Sequence, residues 1–323
     1  MMKKDIEFDP FPIFQGPHQQ TVFGAFFFVP KSPDSVTRII PLDEKNAITI
    51  ETTTPAIWKP FDPTVVMVHG LCGSHKSPSV IRIARVLLTR GIKVVRLNLR
   101  NCGSAINLSK TIFHGGQSDD VLKALKIVKQ DSLESPIVLM GFSMGGNIIL
   151  KLAEELGSKA SKYFDMLIAL NPPVDLYASA VIMEKFSRKA YLGYFMYLLR
   201  TSILELQKSF PELPKIVIPY SANVMDYDRL YTVPTFGFKD IADYYKKCSC
   251  IHYLPDIKIP TKILVADDDP VICSERLIDA PISNSTDVYR AKKGGHLGYL
   301  GHPNRKRGFY WLDNLVLEWF DQI

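Results

Sequence analysis

Several things are scarce in this chain of 323 residues, and each scarcity narrows what it can be. The N-terminus, Met1-Met2-Lys3-Lys4-Asp5-Ile6, lacks the apolar core of a secretion signal. The longest apolar run near it, Val22 to Val29, is far too short to span a bilayer. Cysteine is limited to Cys72, Cys102, Cys248, Cys250 and Cys273, an odd number without the spacing of a disulfide framework. That usage fits a reducing compartment, and a cytoplasmic protein is expected. Cys248-x-Cys250 has no second ligand pair after it, so no metal is expected. Charge of one sign is also scarce: 39 basic against 33 acidic residues leaves a net charge of +6. The basic clusters are as short as Lys292-Lys293 and Arg305-Lys306-Arg307, which speaks against nucleic acid and leaves only peripheral contact with anionic lipid. Repeats and low-complexity linkers are missing too.

What remains is a chain with 46% hydrophobic residues, enough for a full core, read as a single domain over residues 1–323. Residues 1–35 show little regular pattern and read as an arm laid over that domain. The arm holds the polar segment Gly16-Pro-His-Gln-Gln-Thr21 before the aromatics Phe23 and Phe26 to Phe28. Residues 38–42 and 47–53 read as a leading antiparallel pair of strands. Apolar strands then alternate with amphipathic segments. Strands are expected at 64–68, 93–99, 137–140 and 165–170, with helices at 79–89, about 118–129 and from 144 onward. This alternation predicts a mostly parallel central sheet with helices on both faces. The rhythm breaks over residues 174–247, a helical, aromatic-rich insertion expected to cap the carboxyl ends of the strands. It resumes with strands at 261–266 and 287–291 and a closing helix over 308–320.

Gly141-Phe-Ser-Met-Gly145 sits between a buried strand and a helix and spells G-x-S-x-G. In a nucleophile elbow such a serine is pushed clear of the sheet by a strained turn. Ser143 is therefore the candidate nucleophile, and the N–H of Met144 can bind a developing oxyanion. The first parallel strand runs into His69-Gly-Leu-Cys-Gly73, where the N–H of Leu71 supplies a second oxyanion donor. His69 is read as a structural histidine of that loop. The strand at 261–266 ends in Asp267-Asp268-Asp269-Pro270, and the last strand leads to Gly294-Gly-His-Leu-Gly-Tyr299. Ser, Asp and His follow one another in the order used by α/β-hydrolases. His296 is the candidate base. Among the aspartates, Asp269 suits the turn before the apolar Val271-Ile272 best, Asp268 is the runner-up, and Asp267 reads as structural.

These segments resemble the YheT-like α/β-hydrolases over almost the whole chain. The resemblance is carried by His18-Gln-Gln-Thr21, His69-Gly-Leu-Cys-Gly-Ser74 with Ser77-Pro78, and Gly141-Phe-Ser-Met-Gly-Gly-Asn147. Phe238 to Tyr245 with Cys248-Ser249, Asp268-Asp269-Pro270 and Gly294 to Tyr299 add to it. It implies an α/β-hydrolase fold with Asp269, directly before the proline, as the triad acid, and it points to short-chain or lipid-like esters. Arg100-Asn101-Cys102 departs from the family's Arg-Gly-Cys, a change that leaves the triad alone but bears on the pocket floor. Asparagine tolerates left-handed backbone, so the turn is expected to survive.

The leading expectation is a serine hydrolase of carboxylic esters, acting through an acyl-enzyme with Ser143, Asp269 and His296 and needing no cofactor. An acyltransferase is the alternative, because His114 and Asp119 satisfy H-x-x-x-x-D, a spacing that a helix entry with Ser118 or Asp119 as N-cap explains equally well. A non-catalytic binding module on the same fold is the third reading. Oligomeric state is not legible.

Overall fold

Alternate residues of each central strand serve opposite faces of one sheet, and that alternation builds the two cores. In the computed structural model, which describes residues 2–27 and 29–322, Val66 and Val68 join one apolar cluster while Val65 and Met67 join the other. Met1 and Ile323 at the domain ends, and Phe28 of the aromatic cluster, lie outside the described residues.

Among the described residues the strands are β1 (Met2–Asp5), β2 (Val36–Pro41), β3 (Ala47–Thr53), β4 (Thr64–Val68), β5 (Lys93–Asn98), β6 (Ile137–Phe142), β7 (Met166–Leu170), β8 (Thr261–Ala266) and β9 (Thr286–Ala291). Their order in the sheet is β1-β9-β8-β7-β6-β4-β5-β3-β2. All neighbours are parallel except β5–β3 and β3–β2. Helices α1 (Pro17–Phe26), α2 (Pro78–Thr89), α3 (Ser118–Asp131) and α4 (Met144–Leu156) precede or alternate with the strands. Between β7 and β8 come α5 (Leu176–Met183), α6 (Lys189–Ser209), α7 (Val224–Tyr227), α8 (Val233–Phe236) and α9 (Ile241–Cys248). The short α10 (Glu275–Asp279) and the final α11 (Trp311–Phe320) complete the set. α3 and α4 pack on one face through Val121, Leu125, Ile148 and Leu152. α2 and α11 pack on the other through Ile83, Leu87, Leu312 and Trp319. Each fully buried aliphatic side chain contributes about 1.5–3 kcal/mol.

The arm differs from its sequence reading. Residues 2–5 form a strand parallel to β9 at the sheet edge, and residues 17–26 form a helix. α1 has no apolar stripe to announce it; it buries Gln20, Thr21 and Gly24 instead. Gln20 acts as a piece of strand made of side chain: its Nε2 donates to the carbonyls of Phe14 (2.7 Å) and Leu300 (3.0 Å), and its Oε1 accepts from Leu300 N (2.7 Å). Gly24 lies so close to the base loop that a Cβ there would sit 2.6 Å from Gly298 Cα. Gln117, not Ser118 or Asp119, occupies the N-cap position of α3, and its side chain makes no capping hydrogen bond.

Asn101 takes a left-handed φ of 56° and does more than fill the turn. Its side-chain amide donates to the carbonyls of Ser109 and Thr111 (2.9 Å for the latter), and its Oδ1 accepts from Asn107 N at 3.0 Å. The departure from glycine thus fastens the loop that follows β5. Asn101→Gly is expected to lower stability by about 1–3 kcal/mol, since three bonds are lost for a small gain in backbone freedom. Urea midpoints measure this; an unchanged midpoint would show the loop to hold without the amide. Among the described residues, no helix is long and apolar enough to cross a membrane.

Candidate active site

The parallel register brings the carboxyl ends of five strands to one edge. Val68 lies opposite Gly141, Phe142 opposite Leu170, and Ala266 opposite Ala291. The residues that follow them, His69, Ser143, Asn171, Asp267 to Asp269 and the loop to His296, therefore converge, as open α/β sheets require.

Ser143 has φ 50° and ψ −121°, the strained turn expected of an elbow. Two glycines leave no room for side chains. A Cβ on Gly145 would lie 2.3 Å from Val68 O, and one on Gly141 would lie 2.5 Å from Gly145 O. Gly70 faces the serine itself, with its Cβ position 3.1 Å from Ser143 Cβ. Leu71, Ser143 and Met144 line one small cavity. Among the described residues, no loop, turn or side-chain acceptor takes the N–H of Leu71 or of Met144.

His296 Nε2 lies 2.9 Å from Ser143 Oγ, and His296 Nδ1 lies 2.8 Å from Asp269 Oδ2. Asp269 is buried, and its Oδ1 accepts from the N–H groups of Val271 (2.8 Å) and Ile272 (3.1 Å). The other aspartates point elsewhere. Asp268 Oδ1 accepts from Gly295 N at 2.9 Å and so anchors the histidine loop, while Asp267 pairs with Arg290 at 2.7 Å.

Four supporting residues were not assigned these roles from the sequence. Asn171, left-handed at φ 46°, donates to Asp269 Oδ2 (2.8 Å) and Gly295 O (3.2 Å). Tyr299, also left-handed and fully buried, donates its hydroxyl to Asn171 Oδ1 and stacks on Trp311. Thr21 Oγ1 accepts from His296 N at 2.8 Å and donates to Pro17 O. Gln20 holds Leu300 at the end of the same loop. The polar segment His18-Gln-Gln-Thr21 was visible in the sequence, but its partners lie some 275 residues away.

His69 fits the structural reading. Its Nε2 accepts from Leu99 N at 3.2 Å, so Nδ1 carries the proton toward Gly70 O. Burial lowers its pKa to about 4. His114 packs against Phe236, Phe238 and Tyr244, accepts from Gly116 N at Nδ1, and is not among the residues lining the cavity at Ser143. Burial lowers it to about 3. Its H-x-x-x-x-D partner Asp119 stands in the first turn of α3, where a carboxylate favours the helix dipole.

Asp228 stands in a π-helical stretch, Asp228–Thr232, in the wall of the same small cavity as Ser143. Its Oδ2 accepts from Tyr245 and its Oδ1 from Thr232, at 2.9 and 2.7 Å. Burial pushes its carboxyl up from 3.8 to about 7. The folded pKa lies above the unfolded one, so the stability this group contributes is complete below pH 3.8 and is lost as pH rises through 7. Asp228→Asn is therefore expected to be less stable than the wild type at pH 5, with the gap closing by pH 8. Denaturant midpoints at the two pH values check this; a constant gap would remove the carboxyl from the response.

The comparisons agree with this architecture. Residues 63–214 match the α/β-hydrolase fold family. The YheT protein of Escherichia coli is 26% identical over 97% of this chain and 92% of its own. The medium-chain fatty acid ethyl ester synthase/esterase 2 of Saccharomyces cerevisiae is 27% identical over 81% of this chain, which spans 62% of the yeast protein. Among solved structures, the esterase Pf2001 of Pyrococcus furiosus superposes with a TM-score of 0.54 at 16% identity, covering 89% of each chain. The chain has the α/β-hydrolase fold and is similar to YheT-like proteins over nearly its whole length.

Proposed function

We propose that this protein hydrolyses carboxylic esters through an acyl-enzyme. The observation that carries the reading is the pair of contacts at His296, 2.9 Å to Ser143 Oγ and 2.8 Å to Asp269 Oδ2. Ser143 Oγ bonds to the ester carbonyl carbon as His296 Nε2 takes its proton. The carbonyl oxygen, now negative, is held by the N–H groups of Leu71 and Met144, each contributing on the order of 3–4 kcal/mol. The carbon–alkoxy bond breaks, and His296 returns the proton to the departing alcohol. Water then repeats the sequence: it gives a proton to His296, attacks the acyl carbon, and releases the acid as Ser143 regains its proton. Asp269 holds the imidazole in its tautomer and stabilises the imidazolium. The helices of residues 174–247 act as a cap over the site. No cofactor enters this scheme.

Labelling by a fluorophosphonate probe together with turnover of p-nitrophenyl acetate tests the reading. An unlabelled, inactive protein would favour a binding module. A second reading, acyl transfer to an alcohol instead of water, is favoured by the synthase activity named for the yeast relative. Adding ethanol separates the two: transfer yields ethyl ester in excess of the ratio set by ethanol and water concentrations.

Thr21 is a positioning residue in this scheme, because it holds the backbone N–H of His296. Thr21→Val keeps the shape and removes the acceptor. The expected result is a fall in kcat of roughly tenfold, the loss of one hydrogen bond to a part-buried donor, with KM nearly unchanged. A fall in KM and kcat together, or in stability alone, would assign Thr21 to packing.

A further inference from the structure

Two recesses meet at the Ser143–His296 pair, and they differ tenfold in size. The first, about 60 Å³, is lined by Leu71, Ser143 and Met144 together with Met183, Tyr244 and Asp228. The second, about 610 Å³, is lined by His296 and Leu297 and runs between α1 and α6, past Val22, Phe26 and Tyr194. Phe195 and Val271 belong to both and form the partition.

Resting on the serine-hydrolase reading, we propose that the enzyme selects esters of a short acyl group with a large apolar alcohol, the acyl group in the small cavity and the alcohol in the groove. The chemistry sets the direction. The leaving oxygen must reach the proton on His296 Nε2, so the alcohol portion lies on the His296 side. The acyl carbon stays bonded to Ser143 with its oxygen toward Leu71 and Met144, so the acyl chain points into the cavity that those three residues line.

Size then sets the class. A water molecule needs about 10–15 Å³ of such space, so the cavity of about 60 Å³ holds a few water-sized groups and suits a short acyl chain, acetyl to about butyryl. Part of its wall is stiff, because Asp228 is tied to both Tyr245 and Thr232, and the Tyr244 hydroxyl accepts from Gly115 N at 3.2 Å. A long acyl chain would have to break this network. The groove, in contrast, is apolar, and its outer lip is open: Phe26 and Tyr194 are exposed. Such a channel suits an alkyl or terpenoid alcohol whose tail leaves the protein through the lip.

Dodecyl acetate and ethyl dodecanoate test this. They are isomers, so solubility and total apolar surface are matched and only the position of the ester differs. The expected result is a kcat/KM at least about tenfold higher for dodecyl acetate. Phe26→Ala and Tyr194→Ala, both at exposed side chains, are expected to shrink that preference to about threefold or less. Equal rates, or a preference for ethyl dodecanoate, would overturn the assignment. Fluorophosphonate labelling separates the two levels of failure. A labelled enzyme with the reversed preference overturns this inference alone. An unlabelled enzyme inactive on both esters overturns the hydrolase reading and this inference with it.

Discussion

Ser143→Ala is expected to lower kcat/KM for p-nitrophenyl acetate by about 10⁴- to 10⁶-fold, leaving only what binding and the oxyanion donors supply. The same assay ranks the aspartates. Asp269→Asn keeps the volume but turns an acceptor toward His296 into an ambiguous amide, which favours the wrong imidazole tautomer; a loss of about 10⁴-fold is expected. Asp268 touches the loop through Gly295 N and not the ring. Asp268→Asn retains an acceptor oxygen for that N–H, so a loss of about tenfold or less is expected. Equal losses in the two variants would mean that the acid role has been given to the wrong residue. Equal activity of the wild type and Ser143→Ala would remove the elbow from the chemistry altogether.

The largest stability effect is expected far from the serine. Arg82 on α2 and Asp313 on α11 form a two-pronged pair, Nε to Oδ2 and Nη2 to Oδ1 at 3.1 Å each, with both side chains only 3% exposed. Arg82 Nη1 also donates to Gly24 O at 2.9 Å, so one guanidinium joins α2, α11 and α1. Asp313→Ala strands that charge without its partner, and a loss of about 3–5 kcal/mol is expected. The double variant Arg82→Met, Asp313→Leu removes both charges and is expected to recover most of it, because buried pairs are often replaceable by apolar groups of similar size. Denaturant midpoints decide: a loss below about 1 kcal/mol for Asp313→Ala would make the pair incidental. The α1 contact adds a second readout. Loosening α1 moves Thr21, so the single variant is expected to lose activity at temperatures where it is still folded.

The sheet and the elbow were legible because their signals are local. Ile137 to Met140 is a continuous apolar run, and Gly141, Ser143 and Gly145 fall where a sharp turn needs them. The order serine, aspartate, histidine follows from the order of the strands they succeed, while Asp269 is preferred to Asp268 by the turn before Val271-Ile272 and by the family resemblance. The arm was not legible as helix and strand for a physical reason. Its apolar pattern is weak because it packs on backbone and not on a core: Gln20 and Thr21 bury polar groups against a loop near residue 300. Asn171 directly follows an apolar strand and carries no signal of its own. Its role depends on a left-handed turn and on partners at 269, 295 and 299, none of which its neighbours in sequence announce.

The pairing of residues 2–5 with residues 287–290 also has a consequence for biosynthesis. At roughly 5–20 residues per second, synthesis leaves β1 and α1 waiting about 15 to 60 s before their partners exist. Once β8 is made its edge stays bare until β9 follows, and throughout the wait the segment that will hold His296 has nothing to hold. A ribosome-bound chain stopped before residue 286 can own its serine and its aspartates and still be chemically silent. On the proposed mechanism, activity is expected to arrive as one late event, when the first and last parts of the chain close on each other.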